Sequence, residues 1–258
     1  MIEPPAQAYG QGGTNMPPVC LVRVPRRVGP FGRELRMRPK FSLGRWDMEL
    51  AEPWLACLEE AWAAYKAGSL PIGAAYVAAD GTVFLRGRNR IEEPPGGEGL
   101  SGSRVAHAEM NVLRQAPTAS FAEMKAGALY TSLEPCPMCF GAALMCGVRE
   151  IRYAARDGWA GAASLSAANP YVASKHMRVT GPEPLVEAVS LVLLTETSLR
   201  RASPRSLDIV AALAEANPDA VELGRAWLRE GRLQTEAGRG TAIEDICRDI
   251  WRELGQGG

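Results

Sequence analysis

Four side chains in two short stretches carry donors suited to a divalent metal. His107 and Glu109 lie in Ala106-His107-Ala108-Glu109, and Cys136 and Cys139 in Glu134-Pro135-Cys136-Pro137-Met138-Cys139. Zinc takes imidazole nitrogen and thiolate sulfur in a tetrahedron; a catalytic site leaves one corner to water, whereas a structural site fills all four with protein. One histidine and two cysteines fill three corners, and the nearby carboxylate is then available as a base. The set points to one Zn2+ per chain with an open position. A lone C-x-x-C also marks structural zinc knuckles and redox pairs. A structural site would need a fourth ligand, for which Cys146 and His176, the second of two histidines, are available. Cys146 falls two turns into an apolar run and reads as core, and His176 follows Ser174-Lys175 at a loop or helix end. Both read as bystanders.

The spacing also dictates local structure. Cysteines three apart share a face of a helical turn, and Pro137 suits a first turn, where its missing N–H costs nothing. Both sulfurs would then sit at a helix N-terminus, whose positive end favours thiolate. His107 and Glu109, two apart, point to nearly opposite sides of a helix flank and converge only over a helix N-terminal end. Two helices are therefore predicted, one starting near His107 and one near Cys136, aimed at one ion. Met110, Val112 and Leu113 continue the first; Phe140, Ala142, Ala143, Leu144 and Met145 continue the second, before a stop at Gly147. Between them, residues 128–133 read as a short buried strand.

The pattern H-x-E followed by P-C-x-x-C is a signature of zinc nucleobase deaminases. From about Trp46 to Arg201 the chain resembles the cytidine-deaminase-like superfamily, closest to the branch of guanine deaminases and bacterial tRNA-adenosine deaminases. Leu70-Pro71-Ile72-Gly73-Ala74 followed by Gly87-Arg88-Asn89-Arg90 resembles that family's first hairpin and the asparagine that ends it. The resemblance implies a three-layer α/β/α fold, His107, Cys136 and Cys139 as zinc ligands, and Glu109 as the proton carrier of a hydrolytic deamination. It also implies Asn89 and the Ala108 backbone as contacts to the base, and at least a homodimer. Asp157 and Trp159, after the fourth predicted strand, are candidates for the pocket rim, with Trp159 as core filler an equal reading.

Three segments organise the chain. Residues 1–45 hold eight Lys or Arg against two Glu, with seven prolines and six glycines, and read as a disordered basic tail; an untidy terminus is preferred to a nucleic-acid arm. Residues 46–203 are the expected zinc deaminase domain. There, Leu50, Trp54, Leu58, Ala61, Trp62 and Tyr65 recur at helical spacing before Gly68, and a hairpin turns at Ala79-Asp80-Gly81. Further strands are expected at Glu150–Ala154 and Ala188–Leu194, giving the order α-β-β-α-β-α-β-α-β-α with a mixed sheet of about five strands. Residues 204–258 form the expected helical C-terminal extension. Pro204 and Pro218 bracket one helix, another runs near Ala220–Leu233, and Thr241 to Glu244 match a capping box. Ile243, Ile246, Ile250 and Leu254 line one stripe, which must pack on something, by default the deaminase core.

With 258 residues, 47% of them hydrophobic, the chain can bury a sizeable core. No apolar run reaches membrane-spanning length and no signal peptide is evident, so a cytoplasmic enzyme without membrane contact is expected. Six scattered cysteines give no disulfide framework. Residues 46–203 carry fourteen basic against seventeen acidic residues, which favours a free nucleobase or nucleoside as substrate. Residues 91–103 are expected to form a mobile loop at the pocket mouth, whose three glutamates would repel a phosphate backbone. The second reading is a tRNA-adenosine deaminase, with a positive surface assembled from Arg86, Arg88, Arg90, Arg149, Arg152, Arg156, Arg200 and Arg201. A third is a catalytically inactive, zinc-stabilised binding module, against which intact Glu109 and Asn89 argue.

Overall fold

The computed structural model describes Lys40–Ser42, Arg45–Asp47 and residues 50–255. Most of the basic tail read from the sequence lies outside the described residues. The short strands β1 (Lys40–Ser42) and β2 (Arg45–Asp47) pair antiparallel with each other. Next comes α1 (Glu52–Lys66), with Pro53 in its first turn and Gly68, at φ +79°, just past its end. It buries Trp54, Leu58, Ala61, Trp62 and Tyr65, the stripe its periodicity predicts.

β3 (Gly73–Val77) and β4 (Val83–Arg88) form the hairpin, and β5 (Ala128–Leu133), β6 (Glu150–Ala155) and β7 (Arg178–Thr180) complete a sheet of order β4-β3-β5-β6-β7. β3 is antiparallel to both neighbours, whereas β5, β6 and β7 run parallel. α2 (Ala108–Leu113), α3 (Phe121–Ala126), α4 (Pro137–Met145) and α5 (Pro170–Ala173) lie in the connections, and α6 (Pro184–Arg201) follows β7. α1 and α6 cover one face of the sheet, and α2 and α4 the other. The expected three-layer α/β/α architecture with a mixed five-stranded sheet is therefore present. β3 is buried along its whole length, as a strand covered on both faces must be.

Two glycines set how closely these layers approach. A Cβ on Gly73 would fall 2.1 Å from the Cys57 carbonyl of α1, and one on Gly87 would fall 2.9 Å from the Ala108 carbonyl of α2. No larger residue lets the hairpin sit between the helices at this spacing. The outer edge of β4 is covered by α2 and the residues after it: Asn111 Nδ2 donates to the Arg88 carbonyl at 3.0 Å, and Gln115 Nε2 to that of Arg86 at 2.7 Å. An edge so occupied offers no template to another strand.

The expected strand at Ala188–Leu194 is instead the centre of α6, and the fifth strand is β7. The residues from Val186 to Ser198 are all buried, because helices cover α6 on the side away from the sheet. An apolar run buried all round has no periodicity to tell helix from strand. The covering helices are α7 (Ser206–Ala216), α8 (Pro218–Glu230), α9 (Arg232–Arg239) and α10 (Ile243–Gly255). α7, α8 and α10 pack directly on α6, and α10 also reaches α1. Ile243, Ile246 and Ile250 enter the same core as Trp54, Leu58 and Leu191, so the α10 stripe packs on the core beneath the sheet.

The expected capping box does not form. Thr241 ends α9, with its hydroxyl on Glu236 Oε2 at 2.6 Å and its carbonyl accepting Trp62 Nε1–H at 2.8 Å, and α10 starts only at Ile243. At the start of α8 the cap is Asn217, whose side chain accepts the Ala220 N–H at 3.0 Å.

Trp227 of α8 is fully buried, bonded through Nε1 to Glu253 at 3.1 Å, with the Arg232 guanidinium 4.1 Å from its ring centroid. Trp227→Ala should cost about 3–5 kcal/mol, the usual penalty for an emptied aromatic site, within a single urea transition followed by far-UV circular dichroism. A loss below about 1 kcal/mol, or a separate early transition, would mean that residues 206–255 do not share the core of the sheet.

Candidate metal centre and active site

His107 and Cys136 occupy equivalent positions in the two helix starts. Each is the N-cap, with extended backbone (φ −69°, ψ 157° and φ −69°, ψ 169°), and neither uses its side chain for capping. Imidazole and thiol are thereby free to point off the helix ends, and Cys139, one turn on, brings the second sulfur to the same side. His107 Nδ1 lies 3.6 Å from Cys136 Sγ and 3.6 Å from Cys139 Sγ. All three donor atoms lie within 4.8 Å of one another, and this is the one such cluster of His, Cys, Asp and Glu found among the described residues. A tetrahedral ion with Zn–S near 2.3 Å and Zn–N near 2.0–2.1 Å requires N···S edges of about 3.6 Å. The three residues thus fit zinc. Cys146 and His176 are not in the cluster; Cys146 is half-buried after α4, and His176 has a left-handed backbone (φ 50°) ahead of β7.

A hydrogen bond from the Cys139 thiol holds Cys136 down to about 4, with the His107 ring as a further cause, and Cys139 in turn is pushed up by Cys136 and by burial. His107 is raised through its bond to Cys136. A ready thiolate at a helix N-terminus is the form that zinc takes.

Glu109 is buried in the first turn of α2, and desolvation raises its carboxyl above the usual range. The Thr131 hydroxyl, on the central strand β5, donates to Glu109 Oε1 at 3.1 Å. Thr131 is fully buried and pairs in register with Ala74 of β3. Asn89 follows β4. Its N–H donates to the Ile72 carbonyl at 2.9 Å, and the next N–H, of Arg90, to Ala106 at 2.9 Å, a bridge that sets Asn89 and His107 beside each other in the fold. Asn89 Oδ1 accepts the Ile91 N–H at 3.1 Å, whereas Nδ2 is buried with no partner among the described residues. Ala108, fully buried, is the first residue of α2, so its N–H belongs to the first turn, which has no partner within the helix.

After β6, Asp157 is half-buried, and its Oδ1 accepts the N–H groups of Trp159 at 3.0 Å and Ala160 at 2.9 Å. Burial raises its carboxyl, with the Cys136 charge a lesser cause. Trp159 is 52% exposed, which removes its reading as core filler. The glutamates of residues 91–103 are not free charges: Glu93 bonds Arg88 and Arg90, Glu98 bonds Arg90 at 2.6 Å, and Glu92 lies 3.5 Å from Arg201. The segment is further tied down by Leu100 N–H on Asn111 Oδ1 and Glu92 N–H on Ser69 Oγ. The repulsion expected from the linear count is therefore largely neutralised.

Sequence reasoning missed Thr131, Asn111 and Glu134. Strand alternation does place Thr131 on the face of Leu129, towards α2; nothing in the sequence says that Glu134 and Asn111 hold loops rather than solvent.

Three protein donors at two helix starts, with a buried carboxyl beside them and an α/β/α sheet beneath, define a zinc-binding hydrolase site. Residues 49–155 match the model of the cytidine and deoxycytidylate deaminase zinc-binding region. The chain is 40% identical over 116 residues to a tRNA-specific adenosine deaminase of Agrobacterium fabrum, covering 45% of this chain and 67% of the relative. It is 34% identical over 95 residues to a cytosine deaminase of Candida albicans (36% and 58%) and 37% identical over 117 residues to a tRNA(Ile)-lysidine synthase of Deinococcus radiodurans (43% and 19%). The chain belongs to the cytidine and deoxycytidylate deaminase family and carries its zinc-binding domain. It spans less than two thirds of the cytosine deaminase and of the lysidine synthase.

Thr131→Val keeps the shape of the side chain and removes the donor to Glu109. It should destabilise the protein by about 1–3 kcal/mol, the cost of a buried polar group left without its partner, whereas Thr131→Ser, which keeps the hydroxyl, should avoid most of that loss. Coincident urea midpoints for Thr131→Val and wild type would show that the hydroxyl is idle.

Proposed function

We propose that this protein is a zinc-dependent hydrolytic deaminase that converts an amino-bearing nucleobase or nucleoside to its oxo form and releases ammonia. The observation that carries it is the meeting of His107, Cys136 and Cys139 donor atoms within 4.8 Å beside the buried Glu109 carboxyl. When bound there, zinc lowers the pKa of a coordinated water to roughly 7 and so supplies a nucleophile at neutral pH. Glu109 takes one proton from the attacking water and gives it to the ring nitrogen, then takes the remaining proton from the hydroxyl now on the ring carbon and gives it to the departing amine. Its burial suits that shuttle, because a carboxyl raised towards neutrality both takes and returns protons. Thr131 holds one carboxylate oxygen and so fixes the direction of the other. The balance is base–NH2 plus water giving base=O plus ammonia.

In this reading Asn89 Nδ2, buried without a partner among the described residues, donates to an acceptor atom of the base, and the Ala108 N–H supports a second acceptor. Asp157 and Trp159 lie at the rim, the carboxylate of Asp157 suited to an N–H of the substrate. Residues 46–203 are taken as the deaminase domain and 204–258 as its helical extension. The family resemblance supports a homodimer, which light scattering on eluted protein would test. No helix among the described residues is long and apolar enough to cross a membrane. The described cysteines are all unpaired, which supports a cytoplasmic setting.

A small free substrate is preferred to tRNA because of where the arginines go. Of the eight that a positive surface would need, six are held by acids within the fold: Arg86 by Glu59, Arg88 by Glu93, Arg90 by Glu93 and Glu98, Arg152 by Glu150, Arg200 by Glu196 and Arg201 by Glu92. Arg149 is turned onto the Leu144 and Val148 carbonyls. The tRNA reading keeps the support of the Agrobacterium fabrum relative, whose named activity is adenosine deamination in tRNA.

Zinc-loaded protein should release ammonia from at least one amino-bearing base or nucleoside, with turnover little changed by salt. Activity confined to tRNA and falling steeply as salt rises would favour the second reading. Ammonia from none of these substrates would leave only the zinc-stabilised binding module. Glu109→Gln should retain one zinc per chain and lose about 10²–10⁴-fold in kcat, the range for removal of a general acid–base group. A metal-replete Glu109→Gln enzyme turning over at the wild-type rate would remove Glu109 from the chemistry.

A further inference from the structure

Glu134 opens the turn between β5 and the metal-binding Cys136, and its carboxylate is committed to a different segment. Oε2 accepts the Asp157 N–H at 3.3 Å and Oε1 accepts the Ala163 N–H at 3.0 Å, so one side chain ties both ends of the loop after β6. The backbone adds two rungs, Glu134 N–H to the Ala155 carbonyl at 2.8 Å and Ala162 N–H to the Pro135 carbonyl at 3.0 Å. Gly161 lets the loop close: a Cβ there would lie 2.5 Å from Glu134 Cδ and 2.5 Å from the Asp157 carbonyl. Inside the ring, Asp157 accepts the N–H groups of Trp159 and Ala160 through Oδ1 and of Gly161 through its carbonyl.

On its outer side the loop rests on the C-terminal extension. A Cβ on Gly158 would sit 3.1 Å from the Ala212 carbonyl of α7, so loop and helix are already close to contact. α7 in turn packs on α6, in the core beneath the sheet.

We propose that Glu134 is a positioning residue that clamps residues 157–163 against the Cys136 turn as one wall of the base pocket, and that α7 is the outer support of that wall. The extension then takes part in choosing the substrate without touching it. This rests on the deaminase reading for its effect on turnover, but not for the clamp itself. Two amide protons from opposite ends of a loop meet one carboxylate, so an isosteric amide side chain accepts from one and opposes the other with its own N–H.

Glu134→Gln should therefore raise hydrogen exchange across 157–163 by about tenfold, an opening of that loop alone. In the zinc-loaded enzyme it should raise KM for the preferred substrate by about tenfold with kcat nearly unchanged, the pattern of lost uniform binding. Gly158→Val, remote from the metal turn, should push the loop off α7 and produce the same KM shift at one zinc per chain. Exchange at the wild-type rate in Glu134→Gln overturns the clamp, and faster exchange with unchanged KM across substrates overturns its part in binding. Should Glu134→Gln lose zinc, Gly158→Val decides the matter, and an unchanged KM there overturns the role of α7. Wild-type protein that releases no ammonia refutes the deaminase reading, while the exchange result still judges the clamp.

Discussion

Three donor atoms from two separate helices must meet within the span of one ion, and neither helix can place them alone. The structure meets this constraint with helix starts rather than helix flanks. His107 and Cys136 both stand at the N-cap, where the backbone is extended and the side chain is released from the helix surface. The same choice directs the positive ends of two helices at the thiolates, which favours the charged form that zinc binds. Everything else about the sheet can be read as the means of bringing α2 and α4 to those positions. Gly87 lets β4 run against α2, Asn111 of α2 and Gln115 just past its end bond to the edge of that strand, and β5 delivers the chain to Pro135 and Cys136.

The opposite face of the sheet has a different problem. α6 is buried on every side from Val186 to Ser198, so covering the sheet satisfies only half of it. α7, α8 and α10 cover the remainder, with Gly224 allowing α8 to approach Thr195 and Val192 closely. Trp62 of α1 and Trp251 of α10 add hydrogen bonds from their indole N–H groups to the Thr241 and Leu185 carbonyls. An extension that began as cover for an apolar helix thus becomes continuous with the core, and from there α7 reaches the loop that borders the metal turn.

How much of this was legible in the sequence divides along physical lines. The metal donors, both helix starts, the hairpin and β5 were readable because each depends on local chemistry: ligand type, a proline in the first turn, a turn of Asp80-Gly81, an apolar strand six residues long. α6 was misread as a strand because burial on all sides erases the period that separates the two states. The capping box failed because Thr241 closes the preceding helix and its hydroxyl is taken by Glu236 five residues back. Thr131, Asn111 and Glu134 were invisible as site residues because their partners lie 22, 11 or 23, and 23 or 29 residues away. Such pairings are properties of the closed fold. The ion pairs around residues 91–103 belong to the same class: counting charges along the chain suggested an acidic loop, whereas the fold sets each glutamate against an arginine.

Asn89 shows why a site can be recognised by what the fold leaves undone. Its carbonyl oxygen is satisfied by Ile91 and its backbone by Ile72, yet the amide nitrogen is buried without an acceptor among the described residues. An unpaired buried donor costs about 1–3 kcal/mol, comparable with the whole contribution of Thr131 to the carboxyl of Glu109. Under the proposed function, a ligand supplies the missing acceptor to this group, which sits one residue from the Arg90–Ala106 backbone bond. In that reading the unfavourable energy of the free protein becomes selectivity: a base presenting an acceptor there would offset the cost, and one presenting a donor would add a second unpaired group to the first. Under the proposed function, substrate choice begins with hydrogen-bond polarity at Asn89, and the wall formed by residues 157–163 adds to it.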